Sequence, residues 1–288
     1  MNIITHRGLN PSSGNYYPES TWEAFLDQLS RGYGLEFDVQ FTRDKEVVVF
    51  HSPDLSVISS GTIKSRLSEL NAVEIKELRF SGCRLCFLEE LMAAIIVSKA
   101  PISAIHFKGV YQSDEYLEIL SSKLEGFDSK RFIIFDLKIP VAQKMKIKNS
   151  QWQLAASISH PYDIERYNQV VHGTLLTVSE VVNNKNIFNW VWLDEWDRID
   201  ECGKDKLLYS LEIFYFCRQH GFKIGLVTPE LHATSPGLLG GESHPDAVNQ
   251  RKLSIRIKDI IMLKPDLICT DYPDEVDNLV MLSKINYE

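Results

Sequence analysis

Short apolar runs alternate with longer amphipathic stretches along the whole chain. The runs fall at residues 3–5, 35–41, 47–50, 102–107, 132–135, 153–158, 190–193, 223–227 and 266–269. They are rich in Ile, Val and Phe and bounded by polar, Gly or Pro positions. That is the pattern of strands buried on both faces of a parallel sheet. Between them, the stretch 21–31 places Trp22, Phe25, Leu26 and Leu29 at helical spacing. The stretches 88–98, 113–124, 204–220 and 252–263 repeat that spacing and predict helices. Ser20 is the expected N-cap of the first one.

The run at 47–50 follows Phe41 after five residues only, 42–46, too short for a parallel crossover. It reads as a hairpin-like extension. Eight strands remain, with helices between most of them, in 288 residues. This is the arithmetic of a TIM (β/α)8 barrel. A doubly wound open sheet is the alternative, because strand order is not written in sequence. With no Pro/Ser-rich linker, one domain over 1–288 is expected.

Composition narrows the function classes. The chain is 44% hydrophobic and 24% charged, as in a globular protein, with a net charge of −8. An acidic surface does not recruit nucleic acid or an anionic membrane over a broad face, so an anionic substrate must be met locally, by a metal or a few cations. No run reaches membrane-span length, and stable membrane insertion is not expected. The first residues, Asn2-Ile3-Ile4-Thr5-His6, already read as a core strand rather than a leader, and the expected location is cytoplasmic. The five cysteines have no framework spacing, which fits a reducing compartment. Cys83 and Cys86 form a lone C-x-x-C without the second pair that a zinc site needs, and read as ordinary thiols.

The candidate chemistry sits at strand ends. Alternate residues of a strand share a face, so Glu36 points with Asp38, and His106 with Lys108. Two carboxylates inside a barrel repel each other and lose hydration; a divalent cation removes both problems. On an edge strand the same acids would simply sit in water. His6 and His51 each end an apolar run, which in a barrel is the catalytic rim, and two such histidines beside a carboxylate pair suggest a general acid and base. Arg7 and Lys108 supply positive charge for phosphate oxygens.

This set resembles the glycerophosphodiester phosphodiesterase family. The resemblance rests on His6-Arg7-Gly8, Pro18-Glu19-Ser20-Thr21, Glu36-x-Asp38-Val39, Thr42-x-Asp44, the run ending at His51, Lys108, and Cys269-Thr270-Asp271-Tyr272-Pro273. It implies a TIM barrel that hydrolyses a glycerophosphodiester to glycerol phosphate and an alcohol. His6 and His51 would be the acid/base pair, Arg7 and Lys108 the phosphate ligands, and Glu36 and Asp38 the holders of calcium or magnesium. Glu19 would support them. The family's third metal ligand is a glutamate, and here that position is His106. An imidazole removes one negative charge and shifts preference toward manganese, zinc or iron. Two further departures are Ser52 after His51, where the family has aspartate, and Ser20, where it has asparagine.

A looser resemblance, to phosphodiesterase-like proteins of surface-polysaccharide gene clusters, rests on Phe135-Asp136, Trp192-Leu193-Asp194 and Thr228-Pro229-Glu230-Leu231-His232. The expected substrate is therefore a small-molecule or glycan phosphodiester. Rim candidates in the second half are Asp136, His160, Asp194, Glu195, Glu230, His232 and Asp271, with Trp196 placed to stack on a sugar or glycerol. The glycine-bearing stretch 228–247 reads as a lid loop or as an insertion without order. Two other readings stay open: a phospholipase-type lyase of the same fold, and a barrel that binds a phosphorylated sugar or polymer without turnover.

Overall fold

A computed structural model describes residues 1–14, 17–196, 198–200, 202–231 and 244–285. Its strands are β1 (Asn2–His6), β2 (Gly34–Phe41), β3 (Val47–Val49), β4 (Cys86–Phe87), β5 (Ser103–His106), β6 (Phe132–Phe135), β7 (Gln153–Ile158), β8 (Trp190–Leu193), β9 (Lys223–Val227) and β10 (Leu267–Thr270). The order around the sheet is β1-β10-β9-β8-β7-β6-β5-β2, and β1 pairs with β2 to close the ring. The pairings within that ring are parallel. The fold is the expected TIM barrel, and the open doubly wound sheet is excluded by the closure. As expected, residues 47–49 stay outside the ring. β3 pairs antiparallel with β2, and β4 extends it.

Alternation along each strand divides the core in two. Leu35, Phe37 and Val39 face outward and pack with Phe25, Leu91 and Phe107 in the layer between barrel and helices. Inside the ring lie Ile4, Ala104, Ile133, Trp190, Trp192 and Leu267. Size is balanced across neighbours: Gly225 pairs with Trp192, and a Cβ on Gly225 would stand 3.3 Å from the indole. At Gly34 a Cβ would meet the Ile102 carbonyl oxygen at 1.8 Å, so the close approach of β2 to the chain entering β5 requires glycine there.

The helices are α1 (Trp22–Arg31), α2 (Ala72–Glu77), α3 (Leu88–Val97), α4 (Asp114–Leu124), α5 (Ile139–Lys148), α6 (Pro161–Tyr167), α7 (Val178–Asn183), α8 (Leu211–Gln219), α9 (Gln250–Met262) and α10 (Pro273–Ile285). Two expectations are corrected. Ser20 is not the N-cap of α1: its φ is 59°, and Thr21 caps the helix by accepting from the Ala24 amide. The stretch 204–210 is not helical. Lys206 turns inward to hold both oxygens of Asp163 at 2.7 Å, and Leu207 adopts a φ of 49°. Between β2 and α3 the chain builds a satellite core from Val48, Phe50, Leu55, Leu67, Ile75 and Phe87. No helix among the described residues is long and apolar enough to cross a membrane.

Candidate active site

β1 delivers His6 to the C-terminal rim, and the chain then reverses through left-handed Arg7 (φ 55°) and Gly8 (φ 76°). The Arg7 amide donates to the Glu36 carbonyl at 3.0 Å, and the Ser20 amide donates to the Arg7 carbonyl at 2.8 Å. The turn buries the guanidinium at the mouth of the barrel. Its Nη1 lies 3.3 Å from Glu19 Oε1 and its Nε 3.6 Å from Asp38 Oδ2.

His51 lies two residues past β3, on the excursion outside the ring. Gln40 reaches out from β2 and donates to the carbonyls of Phe50 and Ser52, each at 2.7 Å. Tyr111 donates to the Gln40 amide oxygen at 3.0 Å, and Lys108 Nζ donates to the His51 carbonyl at 2.6 Å. This bracing holds a histidine from outside the ring over the ring's centre.

Glu36, Asp38 and His106 come from neighbouring strands, with Asp38 directly opposite His106 in the β2–β5 register. One ligand atom from each lies within 4.8 Å of the others. Glu36 Oε2 and Asp38 Oδ2 are buried and accept no hydrogen bond. Burial and the charge of Asp38 push the Glu36 carboxyl up. Burial would also raise Asp38, but Lys108, His51 and His106 outweigh it and hold that carboxyl well below its ordinary value. Two buried carboxylates with oxygens left over make a donor set suited to a hard divalent cation.

His106 has carboxylates at both ring nitrogens: Nδ1 lies 2.9 Å from Asp38 Oδ1 and Nε2 3.1 Å from Asp136 Oδ2. Desolvation would lower its pKa, but these two carboxylates override that and raise it to about 9. His51 is the opposite case. Burial, aided by the positive charges of Arg7, Lys108 and His6, overrides the pull of Asp38 and holds it well below its ordinary value.

His6 is oriented from the last barrel strand. Its Nδ1 donates to Asp271 Oδ1 at 2.8 Å, which leaves Nε2 on the cavity side, 4.0 Å from Glu36 Oε2. Beneath Asp271, Glu230 Oε1 accepts from the hydroxyls of Thr228 and Thr270, each at 2.6 Å, and from the Asp271 amide at 3.1 Å.

These groups open onto one cavity. His6, Arg7, Glu36, His51, His106 and Asp194 are its polar lining; Phe135, Trp192, Trp196, Val227, Leu231 and Cys269 are its apolar lining. His106, Phe135 and Trp192 stack in series, with centroid spacings of 4.8 Å and 4.1 Å.

The structure thus gathers His6, Arg7, Glu36, Asp38, His51, His106 and Lys108, with Glu19 on Arg7. Of the second-half candidates, Asp194 and Trp196 line the cavity and Asp271 touches His6 from behind. His160 caps α6, its Nδ1 accepting from the Tyr162 amide, and does not line the cavity. Glu230 braces Asp271 rather than facing the opening. Glu195 turns into the protein to accept from the Tyr209 amide and from Arg256. His232 and most of the stretch 228–247 lie outside the described residues. Sequence reasoning took Asp136 and Asp271 for rim residues and missed that each holds a histidine. Strand register carries that information, and a single sequence does not display it.

Comparison with solved structures finds the same barrel end to end. A glycerophosphodiester phosphodiesterase from Thermotoga maritima is 21% identical, with a TM-score of 0.61, covering 97% of each chain. One from Parabacteroides distasonis is 15% identical, with a TM-score of 0.68 and 98% coverage of each. An Oleispira antarctica phosphodiesterase, solved with the product sn-glycerol-3-phosphate, is 15% identical, with a TM-score of 0.66, covering 98% of this chain and 97% of that one. A search of curated proteins finds no match. The model of the glycerophosphoryl diester phosphodiesterase family matches residues 6–201, a span that takes in His6, Glu36, Asp38, His51 and Lys108. The chain is a phosphoric diester hydrolase and belongs to the glycerophosphoryl diester phosphodiesterase family.

Proposed function

We propose that the protein hydrolyses a glycerophosphodiester, or a diester closely related to one, with a divalent cation held by Glu36, Asp38 and His106. When bound there, the cation neutralises charge on the phosphoryl oxygens. Arg7 and Lys108 flank Asp38 and meet the remaining phosphate oxygens. His51, kept neutral by burial and nearby cations, takes the proton from the attacking hydroxyl or water. His6 donates a proton from Nε2 to the leaving oxygen, and Asp271 on Nδ1 steadies the ring while it carries charge. Trp192, Trp196 and Leu231 offer the alcohol part of the substrate an apolar wall. The glycerol phosphate held by the Oleispira relative supports a small-molecule product of the same kind.

The observation that carries this reading is an asymmetry. The two histidines share one cavity with Glu36, yet His6 is hydrogen-bonded to a carboxylate through Nδ1 while burial holds His51 well below its ordinary value. The test is hydrolysis of bis(p-nitrophenyl) phosphate and glycerophosphocholine by metal-stripped protein refilled separately with magnesium, calcium, manganese or zinc. Ion-dependent release that disappears in Glu36→Ala and in His51→Ala is expected. Release that persists without any ion defeats the cation's role. No release with any ion favours a barrel that binds without turnover.

A further inference from the structure

His106 is held more tightly than a rim histidine needs to be. Phe135 stacks on its ring at 4.8 Å with an 18° interplanar angle, which fixes the ring plane. Within that plane, Nδ1 faces Asp38 at 2.9 Å and Nε2 faces Asp136 at 3.1 Å. Asp136 itself has left-handed backbone, φ 64°, unusual for a residue with a side chain. Gln112 clamps this conformation. Its amide nitrogen donates to the carbonyls of Asp136 (2.5 Å) and Phe107 (2.6 Å), and its oxygen accepts from the Lys138 amide (2.9 Å). Backbone strain held by a dedicated clamp points to a task for the side chain.

One ligand atom from each of Glu36, Asp38 and His106 lies within 4.8 Å of the others, which admits a task at a cation site. Adjacent ligand atoms at about 2.1 Å from a six-coordinate ion stand about 3 Å apart. The 2.9 Å between His106 Nδ1 and Asp38 Oδ1, an oxygen that Lys108 Nζ also approaches at 3.2 Å, is compatible with two neighbouring corners of such a site, with Asp38 Oδ2, which accepts no hydrogen bond, available to share the ion. Nε2 then points away from the ion and onto a carboxylate, the arrangement that sets tautomer and basicity in histidine-ligated metal sites.

We infer that Asp136 is the positioning residue of a carboxylate–histidine–metal relay, and that through His106 it makes the site select a nitrogen-accepting transition-metal ion such as manganese or zinc over magnesium and calcium. The inference rests on the metal reading of the site and names which ion that site takes. Glu36 and Asp38 supply hard oxygen donors for any divalent cation. His106 supplies a borderline nitrogen, and Asp136 adds negative charge behind it without occupying a coordination position.

The test begins with the wild-type protein. Manganese is titrated into metal-stripped protein, and pulsed EPR looks for nitrogen modulation from a directly bound imidazole. The signal is expected in wild type and absent in His106→Gln. Binding constants for manganese, zinc, magnesium and calcium are then measured by calorimetric competition in wild type and in Asp136→Asn. That substitution is expected to weaken manganese and zinc about 10–100-fold and to change magnesium and calcium far less. Circular dichroism checks the fold of each variant. If wild type shows no nitrogen modulation, His106 is only a cation bridging Asp38 and Asp136, and the inference fails. Equal loss for all four ions in a folded Asp136→Asn variant also overturns the selectivity. Diester hydrolysis is assayed separately. Turnover without nitrogen coordination sinks this inference alone, whereas nitrogen coordination without turnover sinks the hydrolase mechanism alone.

Discussion

Asp271 Oδ1 lies 2.8 Å from His6 Nδ1, although 265 positions separate the two residues in the chain. The contact fixes which nitrogen of His6 carries a hydrogen and which faces the cavity. Asp271→Asn keeps an oxygen acceptor but removes the charge. It is expected to lower kcat about 10²-fold with little change in KM, and His6→Ala to lower it further. Steady-state kinetics on a chromogenic diester checks this; an unchanged kcat in Asp271→Asn would remove Asp271 from the mechanism.

The two rim histidines predict opposite slopes of stability with pH in metal-free protein. His51 is depressed in the folded state, so below its unfolded value of about 6.5 the unfolded chain binds a proton that the folded one refuses. Its contribution is therefore present above that pH and lost as pH falls. His106 is raised to about 9, so its contribution is complete below its unfolded value of 6.5 and lost as pH rises toward 9. Thermal melts in chelator from pH 5 to 9 should show His51→Gln flattening the acid side and His106→Gln the alkaline side. A variant that flattens the wrong side contradicts the assignment.

Gln40 controls His51 through two backbone carbonyls. Gln40→Ala leaves both carbonyls without their donor, at roughly 1–3 kcal/mol each if they stay dry. It also frees the histidine from its place, and a fall in kcat of about 10²-fold is expected. Urea unfolding and kinetics on the same preparation separate the two effects. Lost stability with normal kcat would mean that the Lys108 contact suffices to hold His51.

Lys206 and Asp163 form an ion pair with side-chain exposures of 0% and 1%. Lys206→Met takes from the buried Asp163 carboxylate its closest cation, leaving Arg166 at 3.9 Å, and is expected to cost about 3 kcal/mol. Adding Asp163→Leu to it should recover much of that loss. Chemical denaturation of the two single variants and the double one is the measurement. Equal losses in the single and double variants would place the stability elsewhere in the post-β8 loop.

Most of the barrel was legible because strands buried on both faces are continuous apolar runs. The predicted bounds 132–135, 153–158, 190–193 and 223–227 coincide with β6, β7, β8 and β9. The two-residue β4 has too little sequence to leave a pattern, and α5, with Pro140 in its first turn and four lysines about it, hides its apolar face. The stretch 204–220 misled because Leu207 continues the helical spacing of Leu211 and Phe214, while the burial of Lys206 is a tertiary event. The site separates along the same line. Motif residues on β1, β2 and β5 were readable one by one, but the partners of His6 and His106 were not, because each lies on another strand.

Closure of the ring through β1 has a consequence for biogenesis. β1 is made first, yet one of its two neighbours, β10, is made last. His6 therefore waits for Asp271 through the synthesis of nearly the whole barrel, and a nascent chain lacking the final strand holds both histidines without the carboxylate that orients one of them. Hydrolytic activity would thus report when the last strand docks, and a partly synthesised chain would release little product however much of the barrel it had already formed.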